Sequence, residues 1–352
     1  MGKSRKSGIE LLRILAALGV VVLHYNDGRA FGYVQGGINL YVLQILECVC
    51  ICAVDLFVLI SGYFLSNTPK RNYFKIIELV IELIIIKELW YVGLCLFTDT
   101  SFAWKKFLVM LVPNNYFVVL YATLYIISPY LNRIFADFNK QQWNRFIITL
   151  LALFSAWTTL VDLAEEVLDI QMVGLSTVTM YGSHKGFNIV NFALMYFVGA
   201  YLRHQQVPKI INTRGKQFIT MILTLCVMFI WAWFVYPLPR KEMGSSWMYH
   251  NPLVILMAVL LFLLFSSFDF EKKWINELAK AAFTCFLLHA MMLDFVGIEK
   301  YSTGNVFVML VHIVVVVVFC YICSYIVYKI YNCTIGKILS LIENAFTKKQ
   351  QV

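Results

Sequence analysis

Residues 9–25 read IELLRILAALGVVVLHY, an apolar run that is long enough to cross a bilayer as a helix. The run nevertheless contains Arg13 near its start and His24 near its end. Ionisable side chains are costly inside a membrane, so each of them is a candidate functional residue. Arg13 and His24 are eleven residues apart, which places both on one helix face, about 16 Å apart along the axis.

The composition indicates an integral membrane protein. Of the 352 residues, 61% are hydrophobic and 14% are charged, whereas about a quarter of the residues of a soluble protein are charged. The basic start resembles that of a signal peptide, but no small-x-small cleavage site follows, so we expect a retained first helix. The net charge of +9 comes largely from short loops, which indicates topology signalling and no nucleic-acid partner.

The nine cysteines lie mostly within apolar segments, and no histidine accompanies them at ligand spacing. Small residues facing lipid or the protein core explain this pattern better than a metal site or a disulfide framework. We therefore expect no metal.

Ten apolar runs of spanning length predict an all-α, polytopic membrane helical bundle with about ten transmembrane helices. The runs are 9–26, 38–64, 73–97, 115–132, 144–163, 188–203, 217–236, 252–268, 276–296 and 304–331. With the N terminus inside, the inner segments hold eighteen lysines and arginines and the outer segments seven. This asymmetry predicts that both termini are cytoplasmic.

The chain divides into a membrane domain, residues 1–334, and a basic amphipathic tail, residues 335–352. We expect the tail to lie at the cytoplasmic surface of the bilayer. The sequence leaves open whether the protein forms a homodimer.

Asp55 and Ser61 lie in the second predicted span, with Asp55 at a depth comparable with that of Arg13. Two interpretations of Asp55 stay open: a buried ion pair with Arg13, or a residue that positions a ligand-binding Arg13. Ser61 precedes Gly62, and such a small pair favours close helix contact or the lining of a site.

His289 lies in the outer half of the ninth predicted span, at a depth similar to that of His24. It is either a helix–helix hydrogen-bonding residue or a second residue of the same cavity. Asn114 and Tyr116 open the fourth span at its outer end, where interfacial anchoring is the alternative to a site role. Glu78, Glu82 and Glu88 of the third span are left unassigned.

Six segments, taken together and in order, resemble the acyltransferase-3 family of bacterial membrane acyltransferases. They are Arg13-x10-His24, DLFVLISGYFL at 55–65, NNYFVVLYATLYIISPYLN at 114–132, GFNIVNFALMYFVGAYLR at 186–203, HNPLVILMAVLLFLLF at 250–265 and AAFTCFLLHAMML at 281–293. The resemblance covers nearly the whole chain. It departs from the family at Glu10, where many members carry Asp, and at 115–117, where a Trp-containing run is replaced.

The resemblance implies transfer of an acyl group, commonly acetyl from acetyl-CoA, to hydroxyls of exported glycans at the bacterial cytoplasmic membrane. By the same resemblance, Arg13 and His24 occupy the family's essential positions. The differences at Glu10 and at 115–117 leave the choice of acceptor open.

Elementary chemistry fits that implication. Imidazole titrates near neutral pH, so His24 suits the role of general base for a sugar hydroxyl. Coenzyme A is a polyanion whose pantetheine arm has a length similar to the Arg13–His24 spacing. We expect the acyl-CoA donor to be bound by Arg13, Asp55, Ser61, Arg71 and Lys75. Arg71 and Lys75 are inner-loop cations that would assist Arg13 at the phosphates.

On the acceptor side we expect His289, Asn114 and Tyr116. Direct transfer and a route through an acyl-enzyme both stay open.

Two other functions compete with acyl transfer. A transporter or flippase for a lipid-linked sugar would also use intramembrane charges and an acidic outer segment such as residues 162–185. A non-catalytic partner of a polysaccharide synthesis complex would tolerate replacement of His24.

Overall fold

The computed structural model describes residues 6–68, 71–205, 208–235 and 244–349, with 347–349 described by their backbone only. The described chain is helical. Its helices are α1 (Ser7–Tyr25), α2 (Gly37–Cys50), α3 (Ala53–Leu65), α4 (Phe74–Phe97), α5 (Trp104–Met110), α6 (Tyr116–Ile134), α7 (Lys140–Leu151), α8 (Trp157–Leu168), α9 (Ile189–His204), α10 (Arg214–Val235), α11 (Pro252–Ser266), α12 (Lys273–Leu278), α13 (Ala282–Leu293), α14 (Ile298–Ser302), α15 (Val306–Cys333) and α16 (Ile335–Lys349).

Every predicted span coincides with a helix or with two consecutive helices, and the helical membrane bundle is confirmed. Within the described ranges, seven helices are long and apolar enough to cross a membrane. The other three predicted spans correspond to α4, which carries several charges, to α9, which is 16 residues long, and to α12–α13, which a 3-10 turn interrupts.

The count of ten spans and the cytoplasmic position of both termini stay predictions. Part of the charge asymmetry behind them falls outside the described residues, namely on Lys3, Arg5, Lys70, Arg240 and Lys241.

Helix α1 lies at the centre of the bundle, with most of its residues buried. It runs parallel to α12–α13 in a fixed register, so that residues separated by 265 positions face each other. Ser7 Oγ accepts a hydrogen bond from Lys272 N at 2.8 Å at one end. Arg29 Nη2 lies 2.6 Å from Asp294 Oδ1 at the other. This register sets the relative height of the side chains between those two contacts.

Helices α3 and α9 pack with their backbones in close approach, because glycines lie where they cross. A Cβ atom added at Gly62 would overlap the carbonyl oxygen of Tyr196, and one added at Gly199 would overlap that of Leu59. Small residues at helix crossings are the usual means of close packing in membranes.

A buried lysine ties α4 to the segment before α6. Lys87 is 6% exposed, and its Nζ donates to the carbonyl oxygen of Val112 at 2.7 Å and to Asn114 Oδ1. Tyr91, one turn further along α4, accepts a hydrogen bond from Ala103 N at 2.8 Å. These bonds give the intramembrane charge of Lys87 a structural role.

The tail forms helix α16, and residues 350–352 lie outside the described ranges. Asn72 donates to Glu343 and thereby joins the tail to the segment that precedes α4. Ile338, Leu341 and Phe346 are exposed, as an amphipathic helix at a bilayer surface requires. The contact of α16 with the cytoplasmic leaflet stays a prediction.

We expect Gly199→Ala to lower the apparent melting temperature of the detergent-solubilised protein, because the added methyl group forces α3 and α9 apart. Overpacking of this kind costs about 1–3 kcal/mol. Gly93→Ala is the matched control: nothing lies within 4 Å of a Cβ added at Gly93, and alanine favours the helix. Equal melting temperatures for the two variants would contradict the close-contact interpretation.

Candidate functional site

A cavity of about 370 Å³ opens between α1, α3, α4, α6 and the turn that links α12 to α13. We call it the Arg13 cavity. Its lining includes Arg13 and Glu10 of α1, Ser61 of α3, Tyr121 of α6, and Lys280. The cavity therefore combines two cationic groups, one carboxylate and two hydroxyls inside a predominantly apolar bundle.

Arg13 is paired within its own helix. Its Nη1 atom lies 3.2 Å from both carboxylate oxygens of Glu10, which is buried, while the Arg13 side chain is 32% exposed. The guanidinium has five donors in all, so the pair with Glu10 leaves donors free to meet a second anion in the cavity.

Asp55 does not pair with Arg13, and that interpretation of the sequence was wrong. Asp55 Oδ1 instead accepts a hydrogen bond from Asn191 Nδ2 of α9 at 3.1 Å. At 100° per residue, Asp55 shares a face of α3 with Gly62, whereas Ser61 lies about 120° around the helix from Asp55. Helix α3 therefore turns Asp55 towards α9 and Ser61 towards the Arg13 cavity.

Ser61 lines the cavity, as expected of a residue beside a site. Its hydroxyl donates to the carbonyl oxygen of Phe57 at 2.8 Å and lies 3.1 Å from the Tyr121 hydroxyl. Since Ser61 donates its one proton to the backbone, Tyr121 is the donor in this second bond.

Lys75 and Arg71 lie in different surroundings. Lys75 lines an adjoining cavity of about 280 Å³ that shares Leu79, Tyr121 and Phe283 with the Arg13 cavity. Arg71 caps the end of α3, since its Nη2 donates to the Leu65 carbonyl oxygen at 2.9 Å and its Nε to Ser128 Oγ at 2.7 Å. Arg71 is not among the lining residues of these two cavities.

The structure brings His24 and His289 together, with ring centroids 4.8 Å apart. His289 Nδ1 lies 3.0 Å from the Cys285 carbonyl oxygen. Because a carbonyl only accepts, Nδ1 carries the proton in neutral His289 and Nε2 keeps its lone pair. In the described part of the chain this buried Nε2 has no hydrogen-bond partner. The pair therefore contains at least one imidazole nitrogen available as a proton acceptor.

Arg29 fastens the two helices that carry the histidines. Its Nη1 donates to the His24 carbonyl oxygen at 2.9 Å, and its Nη2 donates to that of Ala290 at 3.1 Å and to Asp294. From the sequence, Arg29 is only one of the seven positive charges of the outer segments. Its position just after the span was the one signal of a different role.

His312 also makes contacts near the site that the sequence did not indicate. Its Nε2 donates to the Val296 carbonyl oxygen at 2.9 Å, and its Nδ1 accepts from the Tyr25 hydroxyl at 2.9 Å. Tyr25 follows His24 in the chain, so this bond holds the end of α1 against α15.

Three phenylalanines line the Arg13 cavity at the end nearer the histidines. They are Phe57, Phe117 and Phe286, and we call them the aromatic wall. The ring centroid of Phe286 lies 5.9 Å from that of His289. The cavity lined by Arg13 therefore ends close to the histidine pair without being lined by it.

Tyr116 and Asn114 contact other elements. The Tyr116 ring packs edge-on against Phe187 with centroids 4.9 Å apart, and Asn114 accepts from Lys87. Within the described ranges, no hydrogen bond or ring contact joins either residue to His24 or His289.

These features define a class: a multi-pass helical membrane protein with a charged cavity beside two adjacent histidines. The sequence model of the acyltransferase-3 family, described as an acyltransferase domain, matches residues 6–329. The chain therefore belongs to this family and is a membrane acyltransferase. The resemblance drawn from the sequence is confirmed. No curated protein and no solved structure matches the chain significantly.

We expect Arg29→Met to lower the free energy of unfolding by about 1–3 kcal/mol, since charge-assisted hydrogen bonds to two backbone carbonyls are lost. Asp294 contributes little, because its side chain is 63% exposed. The measurement is the apparent melting temperature, and Arg145→Met, at an exposed position, is the control. An unchanged melting temperature for Arg29→Met would show that α1 and α13 hold together without it.

Proposed function

We propose that this acyltransferase moves an acyl group, most simply acetyl, from cytoplasmic acyl-CoA to a hydroxyl group of an exported or cell-surface glycan. The observation that carries the proposal is the arrangement of the Arg13 cavity, with cations at one end and a histidine pair beyond the other. We place the protein in the bacterial cytoplasmic membrane.

The donor end would be formed by Arg13 and Lys280, whose charges suit the phosphates of coenzyme A. Ser61 and Tyr121 offer hydroxyls along the cavity wall for the amides of the pantetheine arm. Lys75 in the adjoining cavity, and Arg71 near it, would add positive potential where the nucleotide lies. Asp55 would act indirectly, by fixing α3 against α9 through Asn191.

The chemistry would take place at the histidine pair. The acceptor hydroxyl oxygen attacks the thioester carbonyl carbon and gives its proton to His24 as general base. The new C–O bond forms as the C–S bond breaks, and the thiolate leaves with the proton from His24 as free coenzyme A. His289 would contact the acceptor or His24 through its unpaired Nε2.

Tyr116 and Asn114 would contribute to the acceptor side from the segment that opens α6. An acyl-enzyme on His24 is an alternative route to the same products. It predicts labelled acyl groups on the protein when acceptor is absent, whereas direct transfer predicts none.

The acidic outer segment no longer favours a transporter. Helix α8 continues to Leu168, and Asp162 within it is 5% exposed, with Oδ2 2.8 Å from His250 Nε2. Glu166 is likewise buried and accepts from Ser245 N at 2.9 Å. These carboxylates hold helices together rather than facing a glycan path.

The test is the thermal shift that acetyl-CoA causes in the purified protein, since a ligand bound only by the folded state raises its apparent stability. We expect the shift to be lost in Arg13→Ala and kept in His24→Ala and in the control Arg145→Ala. In cells that express each variant, acylation of envelope glycans should fall at least about 100-fold for His24→Ala. Absence of a thermal shift with every acyl-CoA would favour a transporter. Full glycan acylation by His24→Ala would favour a non-catalytic partner of a synthesis complex.

We further expect Lys280→Gln to weaken acetyl-CoA binding by several-fold, since a partly exposed charge contributes about 1 kcal/mol or less. Lys329→Gln is the matched control, because Lys329 contacts the same carboxylate, Glu277, as Lys280 does. Lys329 does not line the Arg13 cavity. Equal losses of acetyl-CoA affinity in the two variants would show that the effect comes from the carboxylate of Glu277 and not from a lost contact between Lys280 and the donor.

A further inference from the structure

At the end of the Arg13 cavity nearest the histidines, three different helices each contribute a phenylalanine to the lining. On each of α3, α6 and α13, the lining residue nearest the histidines is a phenylalanine: Phe57, Phe117 and Phe286. The ring of Phe117 lies 4.7 Å from that of Phe286 and 6.3 Å from that of Phe57, centroid to centroid. Phe117 therefore contacts both of the other rings, and the three residues form the end of the cavity lining that is nearest the histidines.

Two of the three rings of the aromatic wall, Phe117 and Phe286, are packed from behind and have little room to move. Phe117 and Phe286 are 5% and 6% exposed. The Phe117 ring also contacts Phe192, with centroids 5.6 Å apart, and stacks on Tyr121 at 5.7 Å. Interiors packed in this way resist the insertion of even one or two methylene groups.

The register of α1 with α13 gives the height of the wall. Phe286 lies level with Val21, which is three residues before His24, or about 4.5 Å along the axis. It lies eight residues above Arg13, or about 12 Å. The wall therefore lies between a donor anchored by its phosphates near Arg13 and the histidines that its thioester must reach.

We propose that the aromatic wall, Phe57, Phe117 and Phe286, restricts the donor to short acyl groups such as acetyl. This inference rests on the proposed function, since it takes the Arg13 cavity as the donor site. An acetyl group needs a small displacement of one ring to reach His24, which the half-buried Phe57 allows. A longer chain must occupy the volume that the rings already fill.

The experiment compares the dissociation constants of acetyl-CoA, butyryl-CoA and hexanoyl-CoA, measured on the purified full-length protein with free coenzyme A as the reference. In the wild type, we expect hexanoyl-CoA to bind at least about tenfold more weakly than acetyl-CoA, since each methylene that does not fit carries such a factor. Phe286→Ala removes one ring of the wall and should bring the hexanoyl-to-acetyl ratio close to one.

Phe283→Ala is the matched control. Phe283 is a phenylalanine of the same helix and lines the same cavity one turn nearer to Arg13. Its removal widens the cavity below the wall, so overall affinity changes while the hexanoyl-to-acetyl ratio stays that of the wild type. Phe286→Leu, which leaves a smaller opening and a milder packing defect, shifts the ratio in the same direction by less, and replaces Phe286→Ala if that variant fails to fold.

The outcomes separate this inference from the proposed function. Equal binding of all three thioesters by the wild type would overturn the wall as a determinant of acyl length and leave the donor site intact. An unchanged hexanoyl-to-acetyl ratio in both Phe286 variants would have the same meaning. So would a change of that ratio in Phe283→Ala equal to the change in Phe286→Ala. Failure of coenzyme A and every thioester to bind would overturn the proposed donor site and, with it, this inference.

Discussion

The parallel pairing of α1 with α12–α13 is the constraint on which the site depends. Contacts at both ends, Ser7 with Lys272 and Arg29 with the Ala290 carbonyl and Asp294, fix one register over the whole length of the pair. Within that register His24 must meet His289, because the same 265-residue offset separates them. A slip by one residue would rotate a histidine by about 100° and part the two rings.

Arg13, Asp55 and Lys87, three ionisable side chains inside the bundle, each have their own separate partners. Arg13 pairs with Glu10 of its own helix, and Asp55 bonds a neutral amide. Lys87 bonds a carbonyl and an amide oxygen. The Arg13–Glu10 pair lies within one helix, so α1 can insert with that charge already compensated, and removing one partner would leave the other costly to bury.

The sequence was informative wherever a single helix determined the answer. The common face of Arg13 and His24 follows from their spacing alone, and the similar depth of His24 and His289 follows from the direction of each span. The partner of Asp55 did not follow. Helix α3 carries apolar side chains on every side, so nothing in its sequence says which face meets α1 and which meets α9. Lys280 was missed for a similar reason: only the fold shows that the turn before α13 opens onto the Arg13 cavity.

The aromatic wall has a second consequence, for the membrane itself. A water-filled passage from Arg13 to His24 and onward would connect the two sides of the bilayer through titratable groups and would conduct protons. Each elementary charge that crosses dissipates about 2.3 kcal/mol per 100 mV of membrane potential. The three phenylalanine rings lie where that passage would run, and hydrophobic constrictions close channels by excluding water. The bundle can thus hold a deep polar cavity while the membrane stays electrically sealed.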